Sequence, residues 1–191
     1  MPVLPCRTSS GTSDSLPGEP ARLDALDIPR RAAPIPQWRA QPLKPFVDHD
    51  AYSDRYLLRL LVGTKTVAVI GASPDQTRSS HRIAQYLLQQ GYRVIPVNPD
   101  AAEATILGMR VHKRLADADE PIDLVDVFRR PEAVPAIAEE AIALRIPFLW
   151  MQLGVRNDYA CRAAEQAGLD VVMNRCVKRE HIRLVSNGSD K

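Results

Sequence analysis

The feature that most constrains the fold is a regular alternation of short apolar runs with helix-periodic segments, which begins at Thr66. The first run, Thr66–Ile70, is continuous and rich in β-branched residues, as expected for a strand buried on both faces of a parallel sheet. The later runs of this kind are Tyr92–Val97, Asp123–Phe128, Pro147–Gln152 and Asp170–Met173. Segments with helical periodicity separate them. The alternation predicts an α/β fold, doubly wound, with a mainly parallel five-stranded sheet and helices on both faces.

The N-terminal part of the chain differs in composition from the rest. Nine of the 16 prolines fall within residues 1–45, and proline removes a backbone donor and fixes φ, so neither a helix nor a sheet propagates there. We expect a disordered proline-rich tail over residues 1–45, either a partner-docking arm or an unconstrained leader, and a folded domain over residues 46–191. That domain would open with a helix over about Asp50–Val62, capped by Asp48 or Asp50.

Composition and charge exclude several classes of partner. The 25 Lys and Arg residues nearly balance the 23 Asp and Glu residues, so we expect no nucleic-acid partner, which usually requires a strongly basic face. No apolar run approaches the roughly 20 residues of a spanning helix, so we expect no membrane partner. Three scattered cysteines without paired spacing are typical of reduced thiols, which favours a cytoplasmic protein. A homo-oligomer remains open.

The most informative loop follows the first strand, because ligands of doubly wound sheets bind beyond the carboxyl ends of strands. It begins with the small residues Gly71, Ala72 and Ser73, which let the backbone approach a ligand closely. The helix after it directs its N-terminal N–H groups and the positive end of its dipole to the same place, and Arg78 and Arg82 add charge. The pattern indicates a phosphate-binding loop. The alternative is an ordinary tight turn capped by Ser79 or Ser80.

Two features argue against a nicotinamide cofactor at this loop. The dinucleotide fingerprint needs three spaced glycines, whereas the loop contains only Gly71. Asn98 and Pro99 stand where a dinucleotide enzyme carries an acidic residue for the ribose hydroxyls. A Walker-type phosphate loop is also absent, since no Gly-Lys-Ser/Thr sequence follows the first strand.

The sequence predicts no catalytic set and no metal site. His81 lies near the phosphate-binding loop without a matching nucleophile or carboxylate. Cys176 and His181 supply only two potential ligands, whereas structural zinc normally has four. Cys176 also lies near Arg175 and Lys178, a cationic setting that favours a reactive thiol. A small buried residue that closes the last turn is the alternative.

Five blocks of sequence resemble, in order, the small stand-alone CoA-binding proteins. These blocks are Val67–Pro74, Gly91–Pro99, Val125–Glu132, Trp150–Gly154 and Met173–Lys178. Such proteins are similar to the nucleotide-binding domain of the succinyl-CoA synthetase α subunit. The resemblance covers about residues 50 to 186 and leaves the proline-rich tail out. It does not include the synthetase domain that carries the phosphorylated histidine, so ligase chemistry is not carried over.

The resemblance implies a Rossmann-like domain whose ligand is coenzyme A. It places Gly71, Ala72 and Ser73 at the pyrophosphate, Arg78 and Arg82 at phosphates, Val97, Asn98 and Pro99 beside the ribose and adenine, Phe128, Arg129 and Pro131 on the opposite wall, and Gln152 and Gly154 in the floor.

We therefore expect a stand-alone module that binds CoA or acyl-CoA without evident catalytic machinery. Three alternatives stay open at this point: an NAD(P)-dependent oxidoreductase, an acyl-CoA-handling enzyme that uses Cys176, and a regulatory subunit that docks through its tail and first helix.

Overall fold

The structure, a computed structural model, describes residues 47–101 and 105–186. Within these residues the helices are α1 Asp54–Gly63, α2 Ser79–Gln89, α3 Val134–Ala143, α4 Asp158–Gln166 and α5 Val177–His181. The strands are β1 Thr66–Ile70, β2 Arg93–Val97, β3 Thr105–Ile106, β4 Met109–Arg110, β5 Leu124–Val127, β6 Phe148–Met151 and β7 Asp170–Val172.

The main sheet has five strands in the order β2-β1-β5-β6-β7, and every pair in it is parallel. The chain first moves outward from β1 to β2 and then returns past β1 to β5, so the direction of winding reverses between β1 and β5. The predicted Rossmann-like parallel sheet of five strands is confirmed. Its reversal point marks where a ligand crevice is expected.

Alternate side chains of β1 pack into two separate hydrophobic cores. Val67 and Val69 pack with buried residues of α1, α2 and α5, whereas Ala68 and Ile70 pack with buried residues of α3 and α4. Successive side chains of a strand point to opposite faces of the sheet, so the helices cover both faces. This layering confirms the doubly wound prediction and explains why the strand runs are largely apolar.

The first helix begins later than the sequence predicts. Ser53 is its N-cap, and the Ser53 hydroxyl accepts a hydrogen bond from the Tyr56 N–H at 3.3 Å. The expected cap, Asp48 or Asp50, is wrong. Asp48 Oδ1 instead accepts the N–H groups of Asp50 and Ala51 at 2.9 and 3.3 Å, so this carboxylate stabilises a local turn before the helix.

A small hairpin projects after β2. Strands β3 and β4 pair antiparallel, and Leu107 and Gly108 between them both have positive φ, as a two-residue hairpin turn requires. After it, His112 forms an isolated parallel bridge with Val97.

The predicted proline-rich tail, residues 1–45, lies outside the described residues. Within residues 47–101 and 105–186, no helix combines the length and the apolar composition that crossing a bilayer demands.

Candidate functional site

The candidate site is a cleft at the carboxyl ends of β1 and β5. Its volume is about 460 Å³, and its lining comes from the loops after β1, β2 and β5 and from the first turn of α2. A second region of about 520 Å³ continues from it along the loop after β5, and the two share Phe128 and Arg129. The cleft therefore lies at the winding reversal, where doubly wound sheets bind ligands.

The first loop turns sharply at Gly71, which has a φ of +84°. The Gly71 and Ala72 N–H groups both donate to the Val97 carbonyl, at 2.8 and 3.4 Å. A Cβ atom on Gly71 would lie 3.1 Å from Arg129 Cδ. Glycine is thus required here for backbone conformation and for the close approach of Arg129. The carboxyl end of β2 therefore takes both amides, so neither is free to donate to a ligand.

The first turn of α2 also borders the cleft. Arg78 is the N-cap residue, and no side chain caps the helix. Among the described residues, no acceptor is found for the N–H groups of Ser79, Ser80 and His81. The alternative of a turn capped by Ser79 or Ser80 is therefore wrong, because both serines lie inside the helix without capping it. Unpaired amides and the positive end of the dipole give an anion-binding site.

A histidine fixes this helix end against the loop. His81 Nδ1 donates to the Ser73 carbonyl at 3.0 Å, and the side chain is largely buried, with the residue 7% exposed. The hydrogen bond holds Ser73 beside the first turn of α2. His81 therefore positions the loop, which is a structural contribution that its sequence context did not reveal.

The β2 side of the cleft is held by Asn98. Its Nδ2 donates to the Ala72 carbonyl at 2.9 Å, and its Oδ1 accepts the Asp100 N–H at 3.0 Å. Arg129 reaches across from the loop after β5, and its Nη1 lies 2.7 Å from Asp100 Oδ2. A guanidinium group therefore crosses the cleft, and the carboxylate that holds it has a side chain that is 69% exposed.

The structure brings six of the thirteen sequence-predicted residues into the cleft. They are Gly71, Ser73, Arg78, Asn98, Phe128 and Arg129, and they are joined there by Ser79 and Ser80. The second region adds Arg130, Glu132 and Ala133. Of the residues that the family resemblance implies for the opposite wall, Phe128 and Arg129 line the cleft and Pro131 does not.

The other seven predicted residues lie outside this lining. Ala72 and Val97 are buried in the two cores, Arg82 and Pro99 are exposed beyond the cleft, Pro131 begins a 3-10 turn, Gln152 is buried, and Gly154 is exposed. Gln152 Nε2 donates to Asp126 Oδ1 at 2.7 Å, and the Gly154 N–H donates to Asn174 Oδ1 at 2.8 Å. Ligand contacts by these residues stay predictions.

Asp126 is a buried carboxyl group that sequence reasoning missed. It lies in β5, is fully buried, and its Oδ2 has no hydrogen-bond partner among the described residues. Burial raises the pKa of Asp126 to about 8, and the hydrogen bond from Gln152 opposes that shift only in part. The group is therefore neutral at pH 7. An acidic residue inside an apolar run, Val-Asp-Val, was the available signal.

A family model described as a CoA binding domain matches residues 65–182. The chain belongs to the CoA-binding domain family. The matched range begins just before β1 and ends just after α5, so it contains the whole sheet and every loop of the cleft. The resemblance to this family that the sequence predicted is confirmed.

Relatives of this CoA-binding domain fall into two groups. An uncharacterized protein, YneT of Bacillus subtilis, is 38% identical over 122 residues, which are 64% of this chain and 89% of that protein. A structure of a hypothetical protein from Pyrococcus horikoshii matches with a TM-score of 0.68 and 35% identity, and covers 71% of this chain and 94% of that one. Both relatives consist almost wholly of the shared domain.

The second group contains much larger proteins. An ADP-forming acetate–CoA ligase from Methanocaldococcus jannaschii is 31% identical over 85 residues, which are 44% of this chain and only 12% of the ligase. The likeness is thus confined to one part of that enzyme.

Proposed function

We propose that this chain binds coenzyme A or acyl-CoA in the cleft at the carboxyl ends of β1 and β5, as a nucleotide-binding module without catalytic machinery of its own. The observation that carries the proposal is the first turn of α2. Ser79, Ser80 and His81 present amides without acceptors, and Arg78 and Arg129 line the same cleft. Amides at a helix start and nearby guanidinium groups together suit a diphosphate.

The rest of the cleft suits an elongated nucleotide. Phe128 is half-buried and lines both regions, and an aromatic ring in this position suits stacking on an adenine. Arg129 and Arg130 follow Phe128 in the chain, line the second region and offer positive charge to a further phosphate. The two adjoining regions, about 460 and 520 Å³, have the volumes typical of ligand pockets. CoA, which carries an adenine and three phosphate groups, matches this charge and length.

The enzyme alternatives have less support. Asn98 directly follows β2, and its Nδ2 donates to the Ala72 carbonyl, so no carboxylate occupies the position that binds ribose hydroxyls in dinucleotide enzymes. Cys176 lies beyond β7 and lines neither region of the cleft. A transferase that uses this thiol would need to bring the acyl group two strands away from β5.

Thermal unfolding with added ligands tests the proposal. At 100 times the dissociation constant, CoA should raise the free energy of unfolding by about 2.7 kcal/mol, whereas NAD should have little effect. Arg129→Ala should reduce the CoA effect, because a cation at the cleft is lost. Arg93→Ala is the matched control, because Arg93 pairs with Glu120 at the opposite end of β2. No shift with millimolar CoA, or an equal shift with NAD, would contradict the proposal.

The non-catalytic part of the proposal has a separate test. The protein is incubated with acetyl-CoA and its intact mass is measured. We expect an unmodified chain, and acylation that disappears in Cys176→Ser would instead identify a thiol-dependent enzyme.

A further inference from the structure

A second cluster of ligand-type side chains lies where the segment before α1 meets α4. His49 Nε2 is 3.1 Å from Cys161 Sγ and 3.1 Å from Glu165 Oε1. Cys161 and Glu165 are four residues apart on α4, so they share one face of that helix. None of the three lines the cleft described above. The cluster is therefore separate from the proposed CoA site.

The cluster does not have the geometry of a catalytic triad. A triad uses one ring nitrogen for the nucleophile and the other for the carboxylate, whereas Cys161 and Glu165 both contact Nε2 of His49. The three side chains therefore do not form a relay of nucleophile, base and acid.

We infer that His49, Cys161 and Glu165 bind a Zn²⁺ ion. The three ligand atoms lie within 4.8 Å of one another. Zinc bonds of about 2.0 Å to nitrogen or oxygen and about 2.3 Å to sulfur separate tetrahedral ligands by about 3.3–3.6 Å. Both distances from His49 Nε2, 3.1 Å each, come within a few tenths of an ångström of this separation. The distance between Cys161 Sγ and the Glu165 carboxylate is within 4.8 Å, and rotation of the partly exposed Glu165 side chain brings the two together around the ion. Thiolate and imidazole ligands together favour zinc over magnesium or calcium.

The charges of the filled site balance. On binding, Zn²⁺ replaces the thiol proton of Cys161, which is released to solvent, and the thiolate and the Glu165 carboxylate then cancel the two positive charges. A neutral ion–ligand set avoids the cost of a buried net charge. This matters here because Cys161 is 1% exposed.

The hydrogen bond between Tyr52 and His49 supports zinc binding by His49. Tyr52 accepts the Met173 N–H at 2.6 Å, and its hydroxyl oxygen lies 2.7 Å from His49 Nδ1. A hydroxyl oxygen has two acceptor lone pairs, so it can also take an Nδ1–H from His49. That tautomer leaves the Nε2 lone pair free for the metal, and such an outer hydrogen bond is typical of zinc-bound histidine.

Three protein ligands leave one tetrahedral position for water. The Glu165 side chain is 24% exposed and that of His49 is 9% exposed, so the open position faces solvent on the Glu165 side. The ion would join the segment before α1 to α4, two parts of the chain more than a hundred residues apart. We therefore expect zinc to stabilise the folded state.

Cobalt substitution tests this inference on the full chain, without an affinity tag and after treatment with a chelator. Co²⁺ should bind with one equivalent and produce a thiolate-to-cobalt charge-transfer band in the near ultraviolet. Cys161→Ser should lose that band. Cys176→Ser is the matched control, because Cys176 lies outside the cluster and should leave the band unchanged.

A second variant keeps the test decisive if Cys161→Ser fails to fold. Glu165→Gln keeps the shape of a partly exposed side chain and should weaken Zn²⁺ binding at least about tenfold, with loss of the rise in Tm that zinc gives the wild-type chain. The inference is overturned if the wild-type chain shows no charge-transfer band, if Cys161→Ser keeps it, or if Glu165→Gln binds zinc as tightly as wild type.

Discussion

Among single residues, Gly71 has the strictest requirement. Its φ is +84°, and an added Cβ would press on Arg129 at 3.1 Å. Gly71→Ala should cost about 1–2 kcal/mol of stability, because an L residue is strained in the left-handed region. It should also weaken CoA binding about tenfold or more, because the added Cβ would displace Arg129 in the cleft. A tenfold loss of affinity corresponds to about 1.4 kcal/mol of binding free energy. Calorimetric titration with CoA measures the second effect.

Gly91 provides the matched control for that substitution. Its φ is +86°, and an added Cβ would meet nothing within 4 Å. It precedes β2 and so lies at the amino ends of the strands, whereas the cleft lies at their carboxyl ends. Gly91→Ala should thus lower Tm by a similar backbone effect and leave CoA affinity unchanged. Equal losses of affinity in both variants would show that Gly71 acts through stability alone.

Asp126 should make stability depend on pH. An ordinary Asp has a pKa of about 3.9, whereas burial raises the pKa of Asp126 to about 8. Between these values the folded protein holds a proton that the unfolded chain has lost. The free energy of unfolding should therefore fall as pH rises from about 4 to about 8, by up to about 1.4 kcal/mol per pH unit, and level off above.

Asp126→Asn tests this dependence because an amide cannot ionise. The variant should gain stability relative to wild type as pH rises through that window. Urea unfolding at pH 5, 6, 7 and 8 gives the difference at each pH. Parallel profiles for the two proteins would mean that Asp126 does not titrate as the burial implies.

At the scale of elements, a capping substitution at the start of α2 should raise the stability of the protein and weaken its binding of CoA. Arg78 occupies the N-cap position with extended backbone and no capping hydrogen bond. Arg78→Asp should supply the missing cap and raise stability by about 0.5–2 kcal/mol. The same carboxylate should occupy the amides and repel phosphate, so CoA binding should be largely lost.

Arg78→Ala separates the two effects, since it removes the guanidinium without adding a cap. It should bind CoA more weakly than wild type but more tightly than Arg78→Asp, with no gain in Tm. If Arg78→Asp binds CoA as wild type does, the amides at this helix end are not the phosphate site.

Local sequence patterns predicted the elements well and their ends less well. The apolar runs located all five strands of the main sheet, because burial on both faces leaves a continuous signal. The predicted N-cap of α1 was wrong because Asp48, Asp50 and Ser53 are all good capping residues, and only tertiary structure selects Ser53. Short hairpin strands such as β3 lack a period long enough to detect.

The candidate site was predictable only where it depends on one loop at a time. The loop positions of Gly71 and Arg129 followed from the strands that precede them. Their mutual contact did not, nor did the commitment of the Gly71 amide to Val97. The cluster of His49 with Cys161 and Glu165 joins residues separated by 112 and 116 positions, and no local pattern relates them.

For the whole molecule, the domain boundary remains a prediction. If residues 1–45 are an unconstrained leader, a chain that begins at residue 46 should keep the Tm and the CoA affinity of the full chain. Thermal unfolding and sedimentation of both chains measure this. A change in oligomeric mass on truncation would favour the docking-arm alternative, and a large loss of Tm would show that the tail belongs to the fold.

The central claim is that the open amides of α2 receive the phosphates of CoA. Amide chemical shifts of the ¹⁵N-labelled chain, recorded during titration with CoA, test it most directly. The claim predicts that the largest saturable shifts fall on Ser79, Ser80 and His81, with smaller ones on the loop after β5. Shifts that avoid the start of α2, or none at millimolar CoA, would contradict it.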